Sequence, residues 1–417
     1  MQPIPSRSRF RSSFVPLKTA LVALFLTVYL ASCTLVDHQP APSYLVSSSL
    51  VAEVPVDQLA PRLAALNLPA QIPAQTFLLY NIKVYKLVYN TKAPNGQPIR
   101  ASGALIVPQA PPSVGLPMIS QQHGTIFTNN DAPSNYAMTS EAYVAASVFA
   151  SNGYIMACPD YIGFGESGDP SNPLNLLLHT YEHREGLAQA SLDMLRAAKE
   201  FIQNNSINWD TRLYLTGYSE GGYATMALYK KMQDEVPAEF NLKAVTAGAG
   251  AYDKTAFTKS LLSTPSHGIA NYNRTYLWVL MTYDKLYGLN RSPGSYFVDP
   301  YLGQIVSQSL AVNLTVSFDQ IFTTSFKAGV ANGTDTNFLN ALADNDVFDW
   351  KPLKPLQLYH GTDDPQVFFL NSQNAYMAMQ ARGAGSTVQL VPIPTGNHQT
   401  SLPYYILGTY TFIKANP

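Results

Sequence analysis

The segment Gly217-Tyr218-Ser219-Glu220-Gly221-Gly222 sets a hydroxyl nucleophile among glycines. Leu213-Tyr214-Leu215-Thr216 before it reads as a strand and Tyr223 to Lys231 after it has helical character, so Ser219 falls on a tight strand-to-helix turn. A serine at the apex of such a turn needs small neighbours, because the backbone is strained and the helix packs close to the strand. Gly217 and Gly221 meet that need. The chemistry implied is nucleophilic acyl transfer. A second pattern, His179-Thr180-Tyr181-Glu182-His183, matches H-x-x-E-H, which on a helix would turn both imidazoles to one face for a zinc hydrolase. It needs a third ligand and stands where a helix begins, so lining a pocket or capping that helix is the alternative role.

The elements that must hold these groups alternate along the chain. Residues 77–89 and 99–107 read as an antiparallel pair about the turn Asn95-Gly96. Strands then follow at 118–121, 154–158, 212–216, 243–247, 356–359 and 388–393, with helices at 139–152, 181–204, 221–233, 372–382 and 404–414. Such alternation predicts an α/β fold with a mostly parallel central sheet and helices on both faces. The alternation stops between 252 and 350, where short helical patterns such as 275–286 and 337–343 suggest a largely helical insertion over one end of the sheet. Its Tyr272, Tyr276, Trp278, Met281, Tyr283, Tyr287 and Phe297 fit either an apolar cap that selects acyl length or the core of a small helical layer. The organisation read is 1–32 leader, 33–75 tether and N-terminal arm, 76–251 first part of the core, 252–350 cap, and 351–417 second part of the core.

The strand, G-x-S-x-G turn and helix, within this alternation, resemble the α/β-hydrolase superfamily of serine esterases and lipases over nearly all of the chain from Thr76. The resemblance implies an order of nucleophile, acid, histidine. Of the histidines after Ser219, His267 falls in the insertion, His360 ends a strand, and His398 lies in the turn-rich loop after the last strand, where the family carries its base. His360-Gly361-Thr362-Asp363-Asp364-Pro365-Gln366-Val367 looks like the family's H-G-x-x-D-x-x-V segment, which makes Asp364 the acid and Asp363 its competitor. Oxyanion donors are then the N–H of Glu220 and that of Thr125, after Gln122-His123-Gly124, with Gly124 as the alternative. Asp160-Tyr161-Ile162-Gly163-Phe164-Gly165 resembles a site-shaping loop of the same superfamily. Together with the insertion, these segments look most like secretory lipases and related esterases of bacteria and fungi. Cleavage of a small-molecule or lipid ester through an acyl-enzyme is the implied activity. A peptidase on the same fold, a zinc hydrolase using His179 and His183, and a non-catalytic binding protein are the alternatives. No cofactor and no metal are implied.

Arg7, Arg9, Arg11 and Lys18 precede the apolar run 19–32, whose fourteen residues fall short of the roughly 20 that a spanning helix needs. A secretory signal fits better. Leu30-Ala31-Ser32-Cys33 resembles the lipobox of bacterial lipoproteins, which implies a lipidated Cys33 and an extracytoplasmic, membrane-held protein. The other cysteine, Cys158, reads as a packed thiol in a buried strand. Across all 417 residues 46 % are hydrophobic and 13 % charged, which is globular and excludes a coiled coil or a disordered chain. With 26 Lys and Arg against 27 Asp and Glu, the net charge of −1 gives phosphate backbones no long-range attraction, which argues against a nucleic-acid partner.

Overall fold

The computed structural model describes residues 1, 3 and 43–417, apart from 71–72, 170 and 172–175. Cys33 and the apolar run of the expected leader lie outside the described residues. Among the described residues nine strands form one sheet: β1 (Leu45–Val54), β2 (Ile82–Lys92), β3 (Pro98–Pro108), β4 (Leu116–Gln122), β5 (Ile155–Pro159), β6 (Trp209–Tyr218), β7 (Asn241–Gly248), β8 (Leu356–Gly361) and β9 (Val388–Ile393). Their spatial order is β1-β2-β3-β5-β4-β6-β7-β8-β9. The pairs from β1 through β3 to β5 are antiparallel, and every later pair is parallel.

Parallel neighbours need crossover connections, and helices supply them. They are α1 (Arg184–Asn204) before β6, α2 (Glu220–Glu235) after it, and α8 (Leu370–Ala381) between β8 and β9; α9 (Leu402–Ala415) ends the fold. Strand side chains alternate between two cores. Leu213 and Leu215 of β6 pack with Leu195 of α1, Leu228 of α2 and Met379 of α8, whereas Tyr214 between them packs on the other face with Val148 and with Ile413 of α9. Both faces are therefore covered, as a parallel sheet requires. Cys158 of β5 is buried, and burial pushes its thiol well above the usual range, so it packs as a core group.

The structure departs from the sequence reading at the start of the core. Residues 45–54, expected within the tether and arm, form β1 along the edge of β2, and the compact unit begins at Tyr44 rather than Thr76. β1 carries apolar residues (Leu45, Val46, Leu50, Val51, Val54), but they do not alternate and most of its side chains are exposed, so no strand period marks it; the open edge of β2 decides. Residues 74–77 are helical, and β2 starts only at Ile82.

The insertion between β7 and β8 holds α3 (Lys254–Ser263), α4 (Ala270–Leu286), α5 (Tyr301–Gln308), α6 (Thr324–Ala331) and α7 (Thr336–Asp344). Several start on side-chain caps: Asp253 accepts from the N–H of Ala256, Thr323 from that of Phe326, and Asp335 from that of Phe338. Their apolar faces close on a core separate from those beside the sheet, in which Trp278, Tyr283, Phe297 and Ile321 are buried together with Phe164, Leu176 and Tyr181 from the loops below.

Candidate active site

Ser219 stands between the end of β6 and the start of α2 at φ 61°, ψ −125°, a conformation that a residue with a side chain adopts only under constraint. The constraint is close backbone packing. A Cβ on Gly217 would come within 2.2 Å of the Gly221 oxygen, and one on Gly221 within 2.1 Å of the Gln122 oxygen. Gly222, which sequence reasoning did not single out, is as tightly held: its Cβ would lie 2.2 Å from the Gly248 oxygen. The adjacent second glycine of the motif was the available signal. The Ser219 N–H donates to the same Gly248 oxygen at 2.8 Å, which ties the turn to β7.

The loops after β8 and β9 meet at this turn. His398 Nε2 lies 2.8 Å from Ser219 Oγ, and His398 Nδ1 lies 2.6 Å from Asp364 Oδ2. The other carboxylate oxygen of Asp364 accepts from the N–H groups of Gln366 (2.9 Å) and Val367 (3.0 Å). Burial works against the Asp364 charge, but hydrogen bonds and attraction from His360 and His398 outweigh it and hold the carboxyl well below the usual range. The Tyr218 hydroxyl donates to the His398 carbonyl oxygen at 2.8 Å and fixes the loop that carries the ring. Among the competitors, Asp363 is exposed and bonded to Thr362, and His267 is exposed in the insertion. His360 is buried, its nitrogens against Ser372 Oγ and the Val367 oxygen at 2.7 Å each.

Glu220 opens α2, so its N–H is among those with no carbonyl partner within the helix. Thr125 follows β4 on the facing loop, with its hydroxyl 2.9 Å from the Tyr181 hydroxyl. The N–H of Gly124 is engaged, donating to Glu141 Oε1 at 2.9 Å, which favours Thr125 of the two alternatives. Gln121 Nε2 donates to the other oxygen of Glu141 at 3.1 Å, so this half-buried side chain ties down Gln121 and Gly124 together. Burial pushes the Glu141 carboxyl up, against the hydrogen bond from Gly124. No motif points to Glu141 in the sequence.

The H-x-x-E-H residues are not on a helix face. His179 precedes the helix and places Nδ1 2.8 Å from the Ile162 oxygen and Nε2 2.6 Å from Glu220 Oε1. A carbonyl only accepts, so Nδ1 carries a proton, and the contact with Glu220 holds a second one whichever partner supplies it. Either arrangement leaves the pair neutral overall. His183 caps α1, accepting from the Gly186 N–H at 3.1 Å, and burial lowers its pKa to about 4. Glu182 forms a buried ion pair with Lys254 of the insertion. Each of the three side chains thus has a structural partner, and the capping alternative holds for His183. Among the described residues no group of three His, Cys, Asp or Glu side chains is placed to hold a metal ion.

From Ser219 a narrow cavity runs beneath the insertion, about 620 Å³ when its open mouth is counted. Its lining includes the charged pair Glu182 and Lys254 and the apolar side chains of Leu261, Phe318, Phe322, Phe326 and Phe338. Of the seven insertion side chains singled out from the sequence, only Tyr276 lines it. Trp278, Tyr283 and Phe297 belong to the core of the helical layer instead, while Tyr272, Met281 and Tyr287 pack partly buried against that core.

A family model for secretory lipases matches residues 133–414. No curated protein sequence matches the chain. Among solved structures, a Legionella pneumophila protein described as a hydrolase is 26 % identical, with 89 % of this chain and 98 % of that one aligned at a TM-score of 0.76. The rice cell wall degrading esterase LipA from Xanthomonas oryzae aligns at 23 % identity over 91 % of this chain and 100 % of its own, with a TM-score of 0.74. Candida antarctica lipase A in its closed state aligns at 16 % identity over 89 % and 81 %, with a TM-score of 0.60. The architecture is the α/β-hydrolase fold.

Proposed function

Because the chain belongs to the secretory lipase family and is a carboxylic ester hydrolase, we propose that Ser219 is its nucleophile, His398 its general base and acid, and Asp364 the orienting carboxylate. The observation that carries this reading is the continuous hydrogen-bonded line from Ser219 Oγ through His398 to Asp364, at 2.8 and 2.6 Å. As Ser219 Oγ attacks the ester carbonyl, Nε2 of His398 takes its proton, and Asp364 stabilises the imidazolium without becoming protonated. The N–H groups of Glu220 and Thr125 receive the developing negative oxygen. The neutrality of the His179–Glu220 pair supports that role, since a lone carboxylate on the donor residue itself would repel the oxyanion. Collapse expels the alcohol, which takes the proton back from His398. Water, activated by the same histidine, then releases the acid from the acyl-enzyme.

The acyl chain of the substrate enters the phenylalanine-walled cavity, whose apolar lining suits a hydrocarbon chain. Hydrolysis of a p-nitrophenyl ester series from acetate to palmitate tests the proposal. Ser219→Ala is expected to abolish turnover, and a chelator is expected to leave the parent enzyme unaffected. Activity that survives the substitution and dies with chelator would refute the serine mechanism.

The protein acts outside the cytoplasm, held to a cell-envelope membrane by acyl chains on Cys33, a reading supported by the basic region, apolar run and Leu-Ala-Ser-Cys end of the leader. Among the described residues no helix is long and apolar enough to cross a membrane. Cys33→Ser is expected to abolish incorporation of radiolabelled palmitate in a bacterial host. Equal labelling of the two chains would overturn the anchor.

A further inference from the structure

Two charged side chains stand in the largely apolar cavity that opens at Ser219: Glu182, from the loop before α1, and Lys254, the first residue of α3. They form a buried ion pair between the core and the insertion. Stability does not call for one there, because apolar side chains of similar volume commonly replace a buried pair without loss. Glu182 also holds a left-handed backbone at φ 46°, fixed by two groups of the insertion: its carbonyl oxygen accepts from the Tyr283 hydroxyl at 2.7 Å, and its carboxylate accepts from Lys254. A residue with a side chain keeps that conformation only against strain, and strain held beside a reacting group points to a ligand.

The pair is not saturated. Glu182 Oε2 takes the lysine, whereas Oε1 has no hydrogen-bond partner among the described residues and is not sealed away: the side chain lines the cavity and keeps 8 % of its surface accessible. Of the three N–H donors of Lys254 one goes to Glu182, and the ammonium lies 4.5 Å from the centre of the Tyr223 ring, whose face takes a second. A donor and an acceptor are thus open side by side. A cation would meet Lys254 and an anion Glu182, so the group that fits them is neutral. A keto or ether oxygen only accepts and leaves Oε1 unmet, while a trans amide donates and accepts in opposite directions and cannot close on two adjoining atoms. A single hydroxyl oxygen does both.

Placement decides where on a substrate that hydroxyl sits. The Gly248 oxygen at the end of β7 accepts from the Ser219 N–H at 2.8 Å, and the chain passes from there directly into Lys254 and α3. Tyr181, beside Glu182, has its hydroxyl 2.9 Å from that of Thr125 on the oxyanion loop. The pair therefore marks the serine end of the cavity. From it α3 presents Lys254, Thr258, Leu261 and Leu262 along one face, and at about 1.5 Å per residue Leu262 lies about 12 Å beyond Lys254. We propose that the preferred substrate is an ester whose acyl chain carries a hydroxyl near the carbonyl, held between Lys254 Nζ and Glu182 Oε1, with the hydrocarbon beyond it against Leu261 and the phenylalanines. This rests on Ser219 being the nucleophile and names the substrate class of that site.

The test compares p-nitrophenyl 3-hydroxydecanoate, as separate enantiomers, with the decanoate, 3-methoxydecanoate and 10-hydroxydecanoate esters. The parent is expected to favour one 3-hydroxy enantiomer over all three by at least about tenfold in kcat/KM, the size of a hydrogen bond to a charged group. Methoxy keeps the inductive effect and removes the donor, and a hydroxyl at the chain end falls among the phenylalanines. No preference, or an equal one for the 3- and 10-hydroxy esters, overturns the subsite. Glu182→Met combined with Lys254→Met removes both charges and leaves neither unpaired; the ratio of 3-hydroxydecanoate to decanoate is expected to fall to within about threefold of unity, and a ratio as high as the parent's removes the pair from recognition. That ratio is internal to each enzyme, so a general loss of activity does not move it, and the parent series decides by itself if the double variant does not fold. A preference for 2,3-dihydroxypropyl over propyl decanoate that the double variant loses, with none on the acyl side, would move the hydroxyl to the alcohol and overturn the acyl assignment. Failure of the nucleophile reads differently: decanoate turnover that survives Ser219→Ala refutes Ser219, whereas Ser219-dependent turnover without preference refutes only the subsite.

Discussion

Asp364→Asn should inactivate the enzyme by reversing a single proton, and the structure shows why the amide cannot turn to avoid it. Asp364 Oδ1 accepts two backbone N–H groups, from Gln366 and Val367, while Oδ2 faces His398 Nδ1. In the asparagine variant the carbonyl oxygen must stay on the two N–H groups. Turning the amide would break both bonds, at about 1 kcal/mol each, a preference of about thirtyfold before donor–donor repulsion is counted. The NH₂ group is therefore aimed at His398 Nδ1, which must become an acceptor. The ring proton moves to Nε2, where it points at Ser219 Oγ and leaves no base for it. A wrong-tautomer defect of this kind costs about 10⁴ in kcat, or about 5.4 kcal/mol of barrier. The assay is steady-state hydrolysis of a p-nitrophenyl ester, with circular dichroism to confirm the fold and Asp363→Asn as control. Since Asp363 is exposed and turned away, its variant is expected within about twofold of the parent. A folded Asp364→Asn enzyme within tenfold of the parent would refute the tautomer argument.

Acid stability should report on His183, whose imidazole is held to about 4 by burial at the cap of α1. The unfolded chain protonates this group near 6.5 and the folded chain near 4. Its stabilisation is thus fully present above about 6.5 and is lost as pH falls toward 4, on the order of 3 kcal/mol in all. His183→Asn keeps a capping acceptor and removes the titration. Urea unfolding between pH 7 and 4 should show a flatter acid limb in the variant, and ester hydrolysis should persist without added zinc; an unchanged limb sinks the assignment. Gly221→Ala would place a methyl group 2.1 Å from the Gln122 oxygen in the turn that seats Ser219. Thermal unfolding should reveal at least about 2 kcal/mol of destabilisation together with lost turnover, and parental behaviour in both would show that the turn tolerates a side chain.

Local chemistry is what the sequence by itself determined. The strand, glycine-flanked serine and helix were legible because a strained turn admits few residue types, and alternating apolar segments disclosed eight of the nine strands because burial on both faces leaves a continuous signal. The resemblance to α/β-hydrolases, which places an acid and then a histidine after the serine, pointed to Asp364 over Asp363 and to His398, each in a loop that follows directly on its strand. Tertiary structure alone decided the rest. The strand β1 forms because β2 has an open edge, and its own exposed residues carry no periodicity. Glu141 and the Glu182–Lys254 pair acquire their places from segments far apart in sequence, so no spacing announces them. The insertion made the same point with aromatics: Trp278 and Tyr283 fill a core while Phe318, Phe322, Phe326 and Phe338 wall the cavity, and composition cannot tell the two apart. Which face of a helix meets a neighbour and which meets a void depends on how helices pack, a property of distant contacts that no single segment encodes.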